Sequence, residues 1–211
     1  MKKLNKNIIL FSLLLIFTMN MGIVAQEKPD ALQLYNKGNY VEAIAVCEQE
    51  LLEDSTNLDS YTVLCWSLVK NRQYSEAEQR ATAGLEVNAY DHRLIEILAE
   101  AKFYLGKNSE ALSLFERYIS YVPTTGSRIG SAYYFMGEIY IRQGKYNHAD
   151  ISLTTAVRHE PLLDYWWTRL GYAKEMSGSY RSAVSAYEKA LSLNPTQQDA
   201  IRGRERASAN L

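Results

Sequence analysis

One short motif occurs five times along the sequence, and its spacing constrains the fold more than any other feature. It begins as Gly38-Asn39-Tyr40-x-x-Ala43; three of the four later copies keep the glycine, and three keep the tyrosine. A motif that returns at a period of about 20 to 50 residues indicates an array of one repeated structural unit. The motif alanines keep one period with a single longer interval, at Ala43, Ala77, Ala111, Ala149 and Ala183.

Each unit has the pattern of two helices joined by a short turn. Between Ser131 and Arg142 the apolar residues fall at three-to-four spacing, which predicts an amphipathic helix. Gly144 ends that helix, a second helix is predicted from about Tyr146 to His159, and Pro161 prevents it from continuing. Because one such hairpin cannot bury its apolar face alone, the units must stack into an all-α solenoid.

The unit resembles the tetratricopeptide repeat, whose pattern is W-x2-L-G-x2-Y, then A-x3-F, then P over about 34 residues. Trp167, Leu170 and Gly171, followed by Ala183, Tyr187 and Pro195, form the best copy. The resemblance implies a right-handed superhelical solenoid of about five helix hairpins. The repeats are predicted at about residues 30–57, 58–91, 92–125, 130–163 and 164–197, and the leading helix of the first, at about residues 30–36, is short.

Two segments lie outside the regular register. Residues 197–208 predict a polar helix that caps the last repeat, because a repeat array would otherwise expose its stacking face. Arg202, Arg204 and Arg206 leave a second interpretation, a basic tail that binds a partner. The four additional residues within 124–130 indicate either a longer surface turn or a hinge between two halves of the array.

The first 25 residues have the layout of a bacterial signal peptide. Lys2, Lys3 and Lys6 precede a short apolar run, and Ala25 stands before a polar stretch. We therefore expect cleavage after Ala25, a tetratricopeptide domain over residues 26–211, and a periplasmic or secreted location. The alternative is an uncleaved leader that anchors the chain in the inner membrane, and only in that case is a membrane contact expected.

Composition and motifs argue against several functional classes. Lys and Arg total 23 against 24 Asp and Glu, so the chain lacks the basic surface expected of a nucleic-acid binder. The three histidines fall in different repeats, where no pair has the spacing of metal ligands. No catalytic constellation is recognisable, so we expect no enzyme, no metal and no cofactor.

The resemblance also implies a binding surface, because members of this family grip peptide segments with the concave face formed by the first helices. In chaperone-tail binders that face clamps a terminal carboxylate with asparagines, but Val63, Ile97 and Phe135 occupy three of those positions here. An internal segment or a folded partner is therefore expected. The predicted groove residues are Thr62, Trp66, Lys70, Glu96, Glu100, Phe103, Tyr134, Glu138, Arg142, Thr168, Arg169 and Tyr172.

Some of these aromatic side chains have a second interpretation. Trp66, Phe103 and Tyr134 suit packing between repeats as well as a partner-binding role. The two cysteines also have two interpretations. Cys47 and Cys65 are expected to be buried free thiols, and the alternative is that they form a disulfide in an oxidising compartment.

Together these features predict a non-enzymatic scaffold of the bacterial cell envelope that binds an envelope protein or peptide segment through its concave groove. Two alternatives remain open at this point. One is a small-ligand-binding accessory component of an envelope transporter, and the other is a membrane-tethered assembly factor.

Overall fold

A computed structural model describes residues 30–211, and this part of the chain is entirely helical, without a β-strand. The predicted leader at residues 1–25 lies outside the described residues. The helices are α1 (Ala31–Asn36), α2 (Tyr40–Glu53), α3 (Leu58–Lys70), α4 (Tyr74–Val87), α5 (His92–Tyr104), α6 (Asn108–Tyr121), α7 (Ile129–Arg142), α8 (Tyr146–His159), α9 (Asp164–Met176), α10 (Tyr180–Leu193) and α11 (Gln198–Ser208).

The turns inside the hairpins explain why glycine recurs in the motif. Gly38 and Gly144 have φ angles of 82° and 69°, in the left-handed region where glycine has no Cβ to clash. Arg72 occupies the same position in the second hairpin with a φ of 62°. The arginine therefore adopts the turn that glycine makes elsewhere, and the second hairpin forms without a glycine.

Helix packing confirms the predicted all-α superhelical solenoid. Each helix packs on the next one in the chain, and the first helices of successive hairpins also contact one another, from α1 through α3, α5, α7 and α9 to α11. The backbones of the second helices, α2, α4, α6, α8 and α10, do not approach one another in this way within residues 30–211, although Arg80 of α4 reaches Glu48 of α2 at 2.7 Å. The first helices therefore form the inner row of the curved array.

Small residues allow the two helices of a hairpin to approach closely. The motif alanines Ala43, Ala77 and Ala111 are completely buried. A Cβ atom on Gly137 would lie 2.5 Å from Cγ of Leu153, and one on Gly171 would lie 2.7 Å from the ring of Tyr187. These contacts leave no space for a side chain, which explains the glycine of the repeat pattern at these positions.

Two boundaries differ from those predicted. The segment 124–130, which holds the four additional residues, is not entirely a turn, because α7 begins at Ile129, whose side chain is buried, and Gly130 is already helical. Residues 122–128 form the connection between α6 and α7. At the other end, the capping helix begins at Gln198 rather than at residue 197.

Candidate functional site

The inner face is the surface formed by α3, α5, α7 and α9, and all twelve predicted groove residues belong to these helices. They divide into two groups by exposure. Six are buried: Thr62, Glu96, Glu100, Phe103, Glu138 and Thr168. The other six are half-buried or exposed: Trp66, Lys70, Tyr134, Arg142, Arg169 and Tyr172.

The most buried charges of the inner face form a cluster around Arg128, which comes from the connection before α7. Its guanidinium donates to both carboxylate oxygens of Glu96, at 2.8 and 2.7 Å, and its Nη2 also lies 2.9 Å from Oε2 of Glu100. Two carboxylates therefore share one cation. Burial, reinforced by the neighbouring charge of Glu96, raises the pKa of Glu100 to about 7.

A second ion pair joins the fourth and fifth hairpins. Nε and Nη2 of Arg169 donate to the two carboxylate oxygens of Glu138, at 2.6 and 2.9 Å. The same guanidinium lies 5.3 Å from the ring centre of Tyr172. Both residues of this pair therefore hold neighbouring first helices together, in addition to any contact with a partner.

Arg142 binds back onto the preceding hairpin. Its guanidinium stands 3.8 Å from the ring centre of Phe103 and donates to the carbonyl oxygen of Phe103 and to Oδ1 of Asn108, both at 3.1 Å. Thr62 and Thr168 each donate to a backbone carbonyl one turn earlier, in the manner usual for helical threonines. The hydrogen-bonding groups of these side chains are therefore used in contacts inside the array.

The aromatic residues pack between repeats and still reach the surface. The ring of Tyr134 stacks on Trp166 with centroids 4.8 Å apart, and the ring of Trp66 lies 5.7 Å from that of Tyr35. Nε1 of Trp66 is buried without a hydrogen-bond partner in the described part of the chain. Lys70, one turn further along α3, is exposed.

A cavity of about 260 Å³ opens where α9 meets the end helix. Only some of its lining residues are among the groove residues predicted from the sequence. We call it the C-terminal cavity; it combines the predicted residues Thr168, Arg169 and Tyr172 with Tyr165, Tyr187, Asp199, Arg202 and Arg206. From the sequence, Arg202 and Arg206 are expected on a polar cap or a basic tail. The missed signal was the register, since Asp199, Arg202 and Arg206 stand one repeat period after Tyr165, Thr168 and Tyr172.

Cys47 and Cys65 lie on α2 and α3 as free, buried thiols of the same core cluster. Burial raises the pKa of both, that of Cys47 to about 12, so the thiolate forms that react are strongly disfavoured. Their pairing in an oxidising compartment stays an alternative prediction.

Residues 30–211 offer no candidate for a membrane span or a metal site. No helix in this range combines the length and the apolar character that a membrane span needs. The same residues contain no group of three or more His, Cys, Asp or Glu side chains arranged to hold a metal ion.

Similarity to known proteins supports the fold described above. The family model described as a tetratricopeptide repeat matches residues 130–161 and 167–197. No curated protein matches the sequence.

Several solved structures share the fold at low sequence identity. YrrB, described as a TPR protein with an unusual peptide-binding site, is 17% identical, covers 83% of this chain and 88% of its own, and has a TM-score of 0.66. TTC0263 from Thermus thermophilus is 21% identical over 85% of this chain and 94% of its own, with a TM-score of 0.61. MamA from Desulfovibrio magneticus RS-1 is 15% identical over 80% and 93%, with a TM-score of 0.67.

The register of the motif, the stacked hairpins and the two matched repeats agree with one another. The glycines and alanines of the repeat pattern also lie where the helices approach most closely. Residues 130–161 and 167–197 are tetratricopeptide repeats, and the described chain shares the fold of the TPR protein YrrB.

Proposed function

We propose that this protein is a non-enzymatic scaffold of the bacterial cell envelope, which binds an envelope protein or peptide segment on its inner face. The observation that carries the proposal is the continuous inner row of first helices, with aromatic and charged side chains reaching its surface at Trp66, Lys70, Tyr134 and Tyr172. Repeat arrays use such extended concave surfaces for binding. The peptide-binding site of YrrB, on the same fold, supports the same use here.

The mixture of side chains suits a protein partner. Tyrosine and tryptophan supply large contact areas at a low entropic cost, and charged groups beside them fix the register of a bound segment. The C-terminal cavity, at about 260 Å³, is smaller than the roughly 300 to 1,000 Å³ of pockets that enclose a small molecule. Its size favours one side chain of a partner over a free metabolite.

The envelope location rests on the leader alone. A positive start, a short apolar run and a small residue before a polar stretch are the features that export machinery recognises. Amino-terminal sequencing of the protein from fractionated host cells tests this. A mature end at Gln26 in the periplasmic or secreted fraction is expected, and an intact leader in the membrane fraction would support tethering instead.

Partner binding is tested by comparing variants in affinity capture from envelope extract, with identification by mass spectrometry. The double variant Trp66→Ala and Tyr172→Ala should lose at least about tenfold of the captured partner, since truncating an aromatic hot spot costs about 2 kcal/mol or more. Tyr90→Ala is the matched control, because Tyr90 is exposed in the turn between α4 and α5, away from the inner face.

Helical circular dichroism distinguishes lost binding from lost folding. Near-normal helicity with reduced capture supports the proposal. Equal capture by the double variant and the control contradicts a role for the inner face. A metabolite that raises the melting temperature of the protein, in the absence of any captured protein, would favour the ligand-binding alternative.

A further inference from the structure

The end helix α11 continues the inner row of first helices rather than only closing it. It contacts α9 as well as α10, in the way that each first helix contacts the previous one. Its residues Asp199, Arg202 and Arg206 stand one repeat period after Tyr165, Thr168 and Tyr172. All six line the C-terminal cavity, so the end helix contributes side chains to the inner face.

Three guanidinium groups converge on this cavity, and their present contacts leave donors available. Arg169 and Arg206 use Nε and Nη2 for bidentate pairs with Glu138 and Glu175. Neither bidentate pair uses Nη1, although Arg206 also has a side-chain hydrogen bond with Tyr187, which lines the same cavity. Each carboxylate thus fixes the edge of its guanidinium that carries Nε and Nη2. The other N–H groups of that guanidinium are not used by this carboxylate.

Arg202 is held less firmly than the other two arginines. Its contact within the described residues is one bond of 2.6 Å from Nη2 to Asp199, three residues earlier on the same helix. Both side chains are more than 60% exposed, at 61% and 67%, and exposed pairs of this kind contribute little stability. A partner's carboxylate can therefore compete with Asp199 for this guanidinium.

We infer that the C-terminal cavity is a subsite for an acidic side chain, aspartate or glutamate, of the segment bound on the inner face. This rests on the proposed function. Each of the three arginines is paired with one carboxylate, of Glu138, Asp199 or Glu175, which accepts only part of the five donors of a guanidinium. The remaining donors favour an acceptor ligand, and their fork geometry matches a carboxylate. The tyrosine rings of Tyr165 and Tyr172 provide walls for the aliphatic part of that side chain. The chain terminus of a partner is the competing source of a carboxylate.

The test is a titration of the purified protein followed by nitrogen–proton NMR, with three tripeptide probes. Acetyl-Ala-Glu-Ala-amide should shift the side-chain Nε signals of Arg169, Arg202 and Arg206 to saturation. Acetyl-Ala-Gln-Ala-amide has no charge, and acetyl-Ala-Gln-Ala with a free carboxyl end carries its charge at the terminus. Both should bind at least about tenfold more weakly than the glutamate probe.

Variants on α11 assign the effect to the cavity. Arg202→Gln should weaken binding of the glutamate probe by about tenfold, which corresponds to the loss of one charge-assisted hydrogen bond. Arg204→Gln is the matched control, because Arg204 lies on the same helix and does not line the cavity, and it should change the dissociation constant less than twofold.

Three results would overturn the inference: equal shifts from the glutamate and glutamine amides, tighter binding of the free carboxyl end, or equal weakening by the two variants. Absence of saturation up to about 10 mM of the glutamate probe would also overturn it, since that affinity is weaker than one charge-assisted contact in a built site provides. None of these results depends on partner capture, so the subsite can fail while the inner face still binds a protein.

Discussion

At the scale of single residues, the turns show where the repeat pattern is a conformational requirement and where it is only a preference. Four of the five hairpin turns in residues 30–211 place glycine at a positive φ, and the remaining one places Arg72 there at 62°. A non-glycine residue in this conformation costs about 1 to 2 kcal/mol, because its Cβ approaches the following carbonyl oxygen. The second hairpin therefore carries local strain that its neighbours avoid.

Replacing Arg72 with glycine should relieve that strain. We expect Arg72→Gly to stabilise the protein by up to about 1 kcal/mol, less than the full steric cost because glycine also gains freedom in the unfolded chain. The measurement is the midpoint of urea unfolding followed by circular dichroism. Arg72→Ala is the matched control, since it removes the same side chain but keeps a Cβ at the strained position. Equal midpoints for the two variants would show that the guanidinium, not the backbone, determines the effect.

At the scale of helices, the elements that depend on local periodicity in the sequence are the ones that the structure contains. The three-to-four spacing, the turn glycines and the prolines were sufficient to predict the hairpins, because each of these signals acts within one unit. The same periodicity placed the twelve predicted groove residues on first helices, and their role in binding stays a prediction. Lys102 and Lys174, which depart from the aromatic position of the repeat, instead pair with Glu78 and Asp150 on the preceding second helices.

What the sequence did not predict is pairing between units. Arg128 stands almost one repeat period after Glu96, in a segment that looked like a polar surface turn. Its partners depend on the path of the inserted residues, which brings the side chain of Arg128 close to α5. No local sequence pattern encodes that path. The contribution of α11 to the inner face was missed for a similar reason, since its polar composition resembled a simple cap.

The cluster of Arg128, Glu96 and Glu100 should make the free energy of unfolding depend on pH in a direction opposite to that of most carboxylates. The usual pKa of Glu100 is 4.5, and in the folded protein burial, with Glu96 beside it, raises the value to about 7 despite Arg128 and Lys70. Between these values the folded state holds a proton that the unfolded state has released. The contribution of Glu100 to the free energy of unfolding therefore falls as pH rises.

We expect the wild-type protein to lose about 1 to 2 kcal/mol of stability from this group between about pH 5.5 and pH 7.5. Glu100→Gln, which keeps the shape and removes the titration, should flatten the dependence and be the more stable protein at the upper end of that range. Urea unfolding at several pH values measures this. Glu116→Gln, on an exposed position of α6, should retain the wild-type slope. A wild-type slope in Glu100→Gln would assign the dependence to other groups.

At the scale of the whole molecule, the described core consists of four clusters along the array rather than one centre. The last cluster lies under α11, where Ala200 and Ala207 cover Tyr187, and the ring of Tyr187 would contact any Cβ atom placed on Gly203. Since each repeat packs only on its neighbours, the effects of removing one end should decay with distance along the chain.

Deletion of residues 198–211 tests this decay. Without α11, the ring of Tyr187 loses its cover, and Glu175 loses the two hydrogen bonds from Arg206. We expect amide hydrogen exchange in α9 and α10 to accelerate at least tenfold, whereas exchange in α3 and α5 should change less than about threefold. Deletion of residues 209–211 is the control and should leave all four helices unchanged, because these residues follow the helix. Uniform acceleration from α3 to α10 would instead mean that the array opens as one cooperative unit, and the end helix would then stabilise the entire inner face on which partner binding is proposed.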